Sequence, residues 1–308
     1  MNDLARHVKD YLRLRRSLGF KLEREGKILP DLIAFVERAG SDTLTADLAI
    51  AWAQLPTGVH PVTWTHRLGA ARGFAAYLKT IDPATEVPPR KVFAGQGERP
   101  VPYLWSNDDI ERLLEAARAL QPQLRAETYQ ALFGLLAVSG MRISETLGLD
   151  RDDVDLGDGV ITVREGKFRR ERLIPLHASS TAALRRYAIE RDRLQPQPAS
   201  TAFFTCWRDS STALSYSSVR ATFHRLTTEI GLRTETIRPR IHDLRHGFAV
   251  RTLVEWHRTG ADVEGRMAVL SDYLGHVNPA GTYWYLSASP ELMELAAARL
   301  DGRFGGPR

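Results

Sequence analysis

Within twenty positions, residues 83–102, the chain carries Pro83, Pro88, Pro89, Pro100 and Pro102 together with Gly95 and Gly97. Proline removes a backbone donor and fixes φ, while glycine loosens the backbone, so a stretch this rich in breakers sustains neither helix nor strand. The chain is therefore expected to fold as two bodies, residues 1–82 and 103–308, joined by a linker over 83–102. Its 308 residues, 43% hydrophobic and 26% charged, supply enough apolar material for two cores.

The first body reads as helical. Leu4, Val8, Tyr11 and Leu12, with Leu18, space an apolar stripe that stops near Gly19, a residue suited to a helix C-terminus. Further helices are expected over residues 27–39, 45–54 and 61–79, with Pro30 marking a start or a kink in the first of these. Arg6, Lys9, Arg13 and Arg16 recur at i, i+3, i+7 and i+10 and form a basic stripe elsewhere on the first helix. Such a stripe is either a solvated face or a track for phosphates, and the residues alone leave both open.

In the second body Ser106 is placed to cap a helix beginning at Asn107, and residues 132–138 belong to a buried helix that stops at Gly140. Two strand-like runs, 160–164 and 170–176, flank a turn. Helices follow near 179–193, 217–230, 242–256 and 263–274. The expected class is mainly α with a small antiparallel β-sheet: an α+β second domain and a separate helical N-terminal domain. No internal repeat or low-complexity run is present.

Charge and cysteine content narrow the setting. Forty-two Lys and Arg face 37 Asp and Glu, a net +5, with a sequence pI near 9.4. That balance suits a nucleic-acid partner without identifying one, because patches matter more than sums. Cys206 is the only cysteine, so no intramolecular disulfide forms and a reducing cytoplasm fits. Residues 1–6 run straight into charged positions with no apolar signal core, and no segment is long and apolar enough to span a membrane.

The chemistry concentrates in five short segments. His242-Asp243-Leu244-Arg245-His246 places Arg245 three residues after His242, on the same face of a helix. Leu274-Gly275-His276 adds an imidazole, and Tyr285 a phenol nine residues further on. Arg142, in Ser139-Gly140-Met141-Arg142-Ile143-Ser144-Glu145, offers a second guanidinium, and two of them can grip both non-bridging oxygens of a phosphodiester. Lys167 sits in the turn between the strand-like runs and is the only lysine from Tyr103 onward. Arginine keeps its proton at accessible pH, whereas an ammonium can act as a general acid.

These five segments, in this order, resemble the tyrosine recombinase (phage integrase) family. That family carries an arginine in a T/S-G-M-R-x-S-E segment, a lysine in a β-hairpin turn, an H-x-x-R-H box, an L-G-H box and a nucleophilic tyrosine shortly after it. The resemblance covers residues 103 to 295. It implies that Tyr285 attacks the scissile phosphorus to give a 3′-phosphotyrosyl intermediate and a free 5′-hydroxyl. Arg142 and Arg245 would neutralise charge on the phosphoryl oxygens, Lys167 would protonate the departing 5′ oxygen, and His242 and His276 would orient the phosphate and assist proton movement. Tyr283, two residues before Tyr285, competes for the nucleophile role, although two phenols so spaced on a helix point in different directions. Glu145 is expected to orient a basic neighbour or cap the next helix, Asp243 to cap the helix carrying Arg245, and His246 to pack or support.

The resemblance further implies a core-binding role for residues 1–82, closing a clamp over DNA, with Arg90, Lys91 and Arg99 of the linker near backbone phosphates. It implies no metal and no nucleotide cofactor. The partners would be double-stranded DNA with inverted-repeat core sites, a homotetramer on two synapsed sites joined through a Holliday junction, and in some members a partner recombinase, but no membrane. A cytoplasmic, nucleoid-associated protein for integration, excision or transposition follows, of a simple two-domain kind. Residues 291–300 form an amphipathic segment with Leu292, Leu295, Ala296 and Leu300 on one side. In the family such a tail docks on the neighbouring protomer; packing on its own domain is the alternative. Three other readings stand beside this one. A type IB topoisomerase shares the cleavage chemistry, a zinc hydrolase would use His242, His246 and His276 as ligands, and a DNA-binding protein would use the basic residues without catalysis.

Overall fold

A computed structural model describes residues 3–93, 101–164, 171–196, 199–276, 280–283, 285, 291–295 and 297–298. The chain divides into two compact units, Met1–Pro100 and Val101–Arg308. Helices dominate both, and among the described residues the strands form two small antiparallel sheets in the second. Among the described residues no helix is long and apolar enough to cross a membrane.

The first unit is built from α1 (Asp3–Ser17), α2 (Glu23–Arg38), α3 (Ala46–Gln54) and α4 (Val62–Leu78). Leu4, Val8, Tyr11 and Leu12 of α1 are buried at helical spacing and pack with Leu29, Leu32 and Val36 of α2, Trp52 of α3 and Phe74 of α4. The apolar stripe stops sooner than expected, because Leu18 is 63% exposed beyond the end of α1. Pro30 does not start a helix: α2 begins seven residues earlier and runs through it. Thr45 caps α3 by accepting from the Leu48 N–H. Residues 83–93 lie on this unit. Arg72 donates to the Pro88 and Pro89 carbonyls, Glu86 N–H donates to the Leu44 carbonyl, and Phe93 packs against Trp64.

The second unit opens with α5 (Asn107–Arg118), held by a Ser106–Asp109 capping box, and α6 (Gln123–Ser139). α6 is apolar nearly all round and forms the centre, packed by α5, α8 (Ala178–Leu194) and α10 (Ile241–Arg258). It stops at Gly140, and a short α7 (Ile143–Leu147) follows. β1 (Val154–Asp155), β2 (Val160–Val163) and β3 (Arg172–Pro175) form an antiparallel sheet in that order, with Ile161 opposite Ile174 and Val163 opposite Arg172. A second hairpin, β4 (Thr205–Cys206) with β5 (Asp209–Ala213), was not anticipated; its β5 strand is short, polar and mostly exposed, so it shows no apolar alternation. α9 (Tyr216–Glu229), α10 and α11 (Val263–Leu274) complete the core. A separate apolar cluster joins Leu253 of α10 and Leu270 and Leu274 of α11 to Tyr285 and Leu292. In the single chain, therefore, Leu292 and the half-buried Leu295 pack on their own unit, the second of the two dockings left open by the sequence.

Candidate active site

The site is organised by the C-terminal end of α11. A helix leaves its last carbonyls without intrahelical partners, and these carry partial negative charge. Here the accounting is complete over five successive residues. The Ser271 carbonyl accepts from the His276 N–H and the Asp272 carbonyl from the Gly275 N–H, both at 2.9 Å, the pairing of a Schellman cap. The next three carbonyls each take one guanidinium. Arg172 Nε donates to Tyr273 at 2.9 Å, Arg245 Nη2 to Leu274 at 2.6 Å and Arg142 Nη2 to Gly275 at 2.7 Å. Gly275 allows this by its φ of 66°, which turns the chain at the helix end.

Each arginine arrives from a different element. Arg245 is 2% exposed on α10, and its Nη1 also donates to the Gly140 carbonyl at 2.8 Å, tying the end of α6 to the end of α11. Burial, reinforced by the neighbouring Arg142, pulls the Arg245 guanidinium down to about 10, which still leaves it charged at neutral pH. Arg142 stands at the N-terminus of α7, its backbone N–H donating to Glu145 Oε2 at 2.8 Å and its Nη1 to Oε1 at 2.6 Å. Arg172 reaches in from β3 and holds the same carboxylate with two bonds, Nη1 to Oε1 at 3.2 Å and Nη2 to Oε2 at 2.7 Å. Burial pushes the Glu145 carboxyl up, but the bonds from Arg172 and Arg142 outweigh it and hold the group below the usual range. Glu145 thus both caps α7 and orients two cations.

The imidazoles and the phenol form a second layer. His242 and His246, one turn apart on α10, meet edge to face at 4.6 Å between ring centres. The Tyr285 ring meets both His246, at 5.3 Å, and His276, at 6.0 Å. Tyr285 is only 2% exposed, and its phenol lies close enough to Arg245 to raise that guanidinium's affinity for its proton. His276 Nδ1 is 2.7 Å from the hydroxyl of the buried Thr282, leaving Nε2 for a substrate. Burial and the surrounding arginines keep all three imidazoles neutral at pH 7. Burial, His242 and Arg240 pull His246 down to about 3, while burial, Arg245 and Arg142 pull His276 down to about 4. His242 is also lowered to about 4 by burial and Arg245, but it keeps a face open to water, which softens the burial there. Asp243 is buried under Arg240 and caps α10 by accepting the Arg240 N–H at 2.8 Å.

The structure brings Arg142, Glu145, His242, Arg245, His246, His276 and Tyr285 together. Lys167 lies outside the described residues. Tyr283, the competing phenol, is 51% exposed. Among the described residues no three His, Cys, Asp or Glu side chains are grouped as a metal ion would need, His242, His246 and His276 included. On α1, Arg6 pairs with Asp3 at 2.7 Å, Arg13 pairs with Asp10, and Arg16 donates to the Lys21 carbonyl at 3.3 Å, while Lys9 is exposed. Arg90 and Lys91 are exposed; Arg99 lies outside the described residues. Arg172 and Thr282 escaped the sequence reading. The signal for Arg172 was a cation on the strand face it shares with the fully buried Ile174, where alternation calls for an apolar residue.

Two guanidiniums anchored on adjacent carbonyls, with a phenol near one of them and neutral imidazoles around it, can bind a tetrahedral anion and attack it. The model of the phage integrase family matches residues 105–291. Over 312 residues the chain is 43% identical to a Sinorhizobium fredii protein designated integrase/recombinase y4rB, covering 99% of each. It is 31% identical over 272 residues to the tyrosine recombinase XerD of Caulobacter vibrioides, covering 86% of this chain and 85% of that protein. Among solved structures, XerH recombinase bound to palindromic difH substrate in a post-cleavage complex aligns with a TM-score of 0.62 at 21% identity, over 83% of this chain and 72% of that one. The Tn1549 transposon integrase in complex with transposon right-end DNA aligns with a TM-score of 0.63 at 19% identity, over 97% and 99%.

Proposed function

The chain belongs to the phage integrase family, the tyrosine recombinases, and from that premise we propose that it cleaves and rejoins DNA strands at specific sites through Tyr285. The observation that carries this reading is the burial of the Tyr285 phenol against His246 and His276, beside the guanidinium of Arg245, which is anchored next to that of Arg142. A phosphate bound by the two arginines lies within reach of the phenol oxygen.

The steps follow from the residues. Arg142 and Arg245 neutralise the phosphoryl oxygens as charge develops on them. The phenol oxygen of Tyr285 forms a bond to phosphorus and the bond to the 5′ oxygen breaks, which leaves the DNA 3′ end on the tyrosine. Lys167 supplies the proton to the departing 5′ oxygen. The phenol proton passes to the neutral imidazoles of His276 and His242, and a bound phosphate anion raises their affinity for it. Attack by the 5′-hydroxyl of a second duplex reverses the step, so the phosphoester energy is kept. The reaction runs as strand exchange through a Holliday junction within a homotetramer on two duplexes with inverted-repeat core sites. Assembly exchanges the tail carrying Leu292 from its own unit to a neighbouring protomer. Arg6, Lys9, Arg13, Arg16, Arg90 and Lys91 contact backbone phosphates. Integration or transposition of mobile DNA suits such a protein.

Incubating the chain with a plasmid library and recovering covalent protein–DNA complexes under denaturing conditions tests the reading. Adducts at DNA 3′ ends with recombinant joints between plasmids are expected, from the wild type and not from Tyr285→Phe, and unaffected by a strong chelator. Relaxed plasmid without any exchanged joint would instead make the chain a topoisomerase, and loss of cleavage with the chelator would make it a metal enzyme.

A further inference from the structure

Arg172 has no part in the steps above, yet three of its N–H donors are engaged inside the site. It holds Glu145 with two bonds and the Tyr273 carbonyl with a third. Its side chain is 12% exposed, against 21% for Arg142. With Nε, Nη1 and Nη2 all engaged by the protein, Arg172 is committed to holding Glu145 and the end of α11. We propose that Arg172 is a positioning residue for strand transfer, keeping Arg142 open to the scissile phosphate by taking up the Glu145 carboxylate. The inference rests on the strand-transfer reading.

Geometry is the first support. A carboxylate facing a single guanidinium closes on it with two parallel bonds. Here Arg172 occupies that two-bond position, so Glu145 reaches the Arg142 side chain only through Nη1 and the other terminal nitrogen turns to the Gly275 carbonyl. Charge is the second. Arg142, Arg172 and Arg245 surround one carboxylate, leaving two net positive charges for a phosphodiester whose own charge grows in the transition state. Without Arg172, Glu145 is free to neutralise Arg142. Register is the third support: Arg172 pairs with Val163 in the three-stranded sheet, so the guanidinium is held by strand pairing rather than by a loop.

The test uses nicked duplexes built on the DNA site recovered by covalent trapping with the wild-type chain. One set carries a normal scissile phosphate and the other a methylphosphonate, which lacks the negative charge the arginines serve. Arg172→Ala is expected to bind the duplex within about threefold of wild type but to lose about 100-fold in single-turnover cleavage of the phosphate, the scale of a misplaced catalytic group. The methylphosphonate should recover at least about tenfold of that loss, as it should for Arg142→Ala, and Arg172→Lys should fall between. The ratio between the two substrates is internal to each variant, so partial unfolding does not move it. Cleavage within twofold of wild type, or the same loss on both substrates, overturns the proposal. If the wild type forms no adduct on any DNA, the functional reading fails first and takes this inference with it.

Discussion

Replacing Gly275 by alanine perturbs the point where the guanidiniums meet the helix end. Its φ of 66° is disfavoured for a residue with a side chain, at about 1–2 kcal/mol. The added Cβ would lie 3.0 Å from Arg172 Nη1 and 3.2 Å from Arg142 Nη1. Both groups are pinned by Glu145 and by carbonyls of the same turn, so they can yield only by a few tenths of an ångström. A stability loss of about 1–2 kcal/mol corresponds to roughly 2–8 °C in Tm for a unit of this size. Cleavage should fall further, by about 10–100-fold per folded molecule, because the displaced groups are Arg142 of the phosphate grip and Arg172, which positions it. Gly260→Ala is the control: its φ is 70°, and a Cβ there meets nothing within 4 Å. Thermal unfolding and single-turnover cleavage, measured on both variants, decide the matter. If Gly275→Ala loses Tm like the control and still cleaves at the control's rate, the three-arginine account of this helix end is wrong.

Acid should weaken the DNA-free fold. His246 and His276 sit at about 3 and about 4 in the folded chain, against 6.5 for a free imidazole. The unfolded chain therefore binds protons first; stability is complete above about pH 6.5 and declines as pH falls towards 4. The urea midpoint should be lower at pH 5 than at pH 7.5, with a flatter dependence in His246→Phe, and a midpoint unmoved by pH contradicts this. Lys9→Ala should reduce the slope of log K against log salt for DNA binding by about 1 without changing Tm; an unchanged slope would assign the α1 stripe to solvent. Leu292, 1% exposed in the cluster that holds Tyr285, should cost about 2–5 kcal/mol as alanine in the DNA-free chain. No loss in a denaturant titration would mean that the tail does not pack on its own unit.

Much of this was legible in the residues, for identifiable reasons. Helices with caps or strong periodicity were placed to within a few residues: Ser106 before α5, Gly140 after α6 and Gly275 after α11 are chemical punctuation that local sequence displays. Pro30 does not start α2 because a proline in a helix can be outvoted by packing, and here Leu29, Leu32 and Ile33 are buried on either side of it. Leu18 misled because periodicity continues past the point where a chain turns away from its core. The site motifs announced Arg142, Arg245, His276 and Tyr285 as candidates, but their common support did not appear in any one segment. Three carbonyls at one helix end gather arginines from positions 142, 172 and 245, a relation that exists only after folding. Arg172 was one arginine among many until its guanidinium was seen on Glu145.

The central claim is that Tyr285, not Tyr283, carries the DNA. Trapped adducts, digested with nuclease and protease and analysed by mass spectrometry, report which phenol is linked to the 3′ end. The account predicts a phosphonucleotide on Tyr285 and none in Tyr285→Phe; a nucleotide on the exposed Tyr283, or on no tyrosine at all, would contradict it.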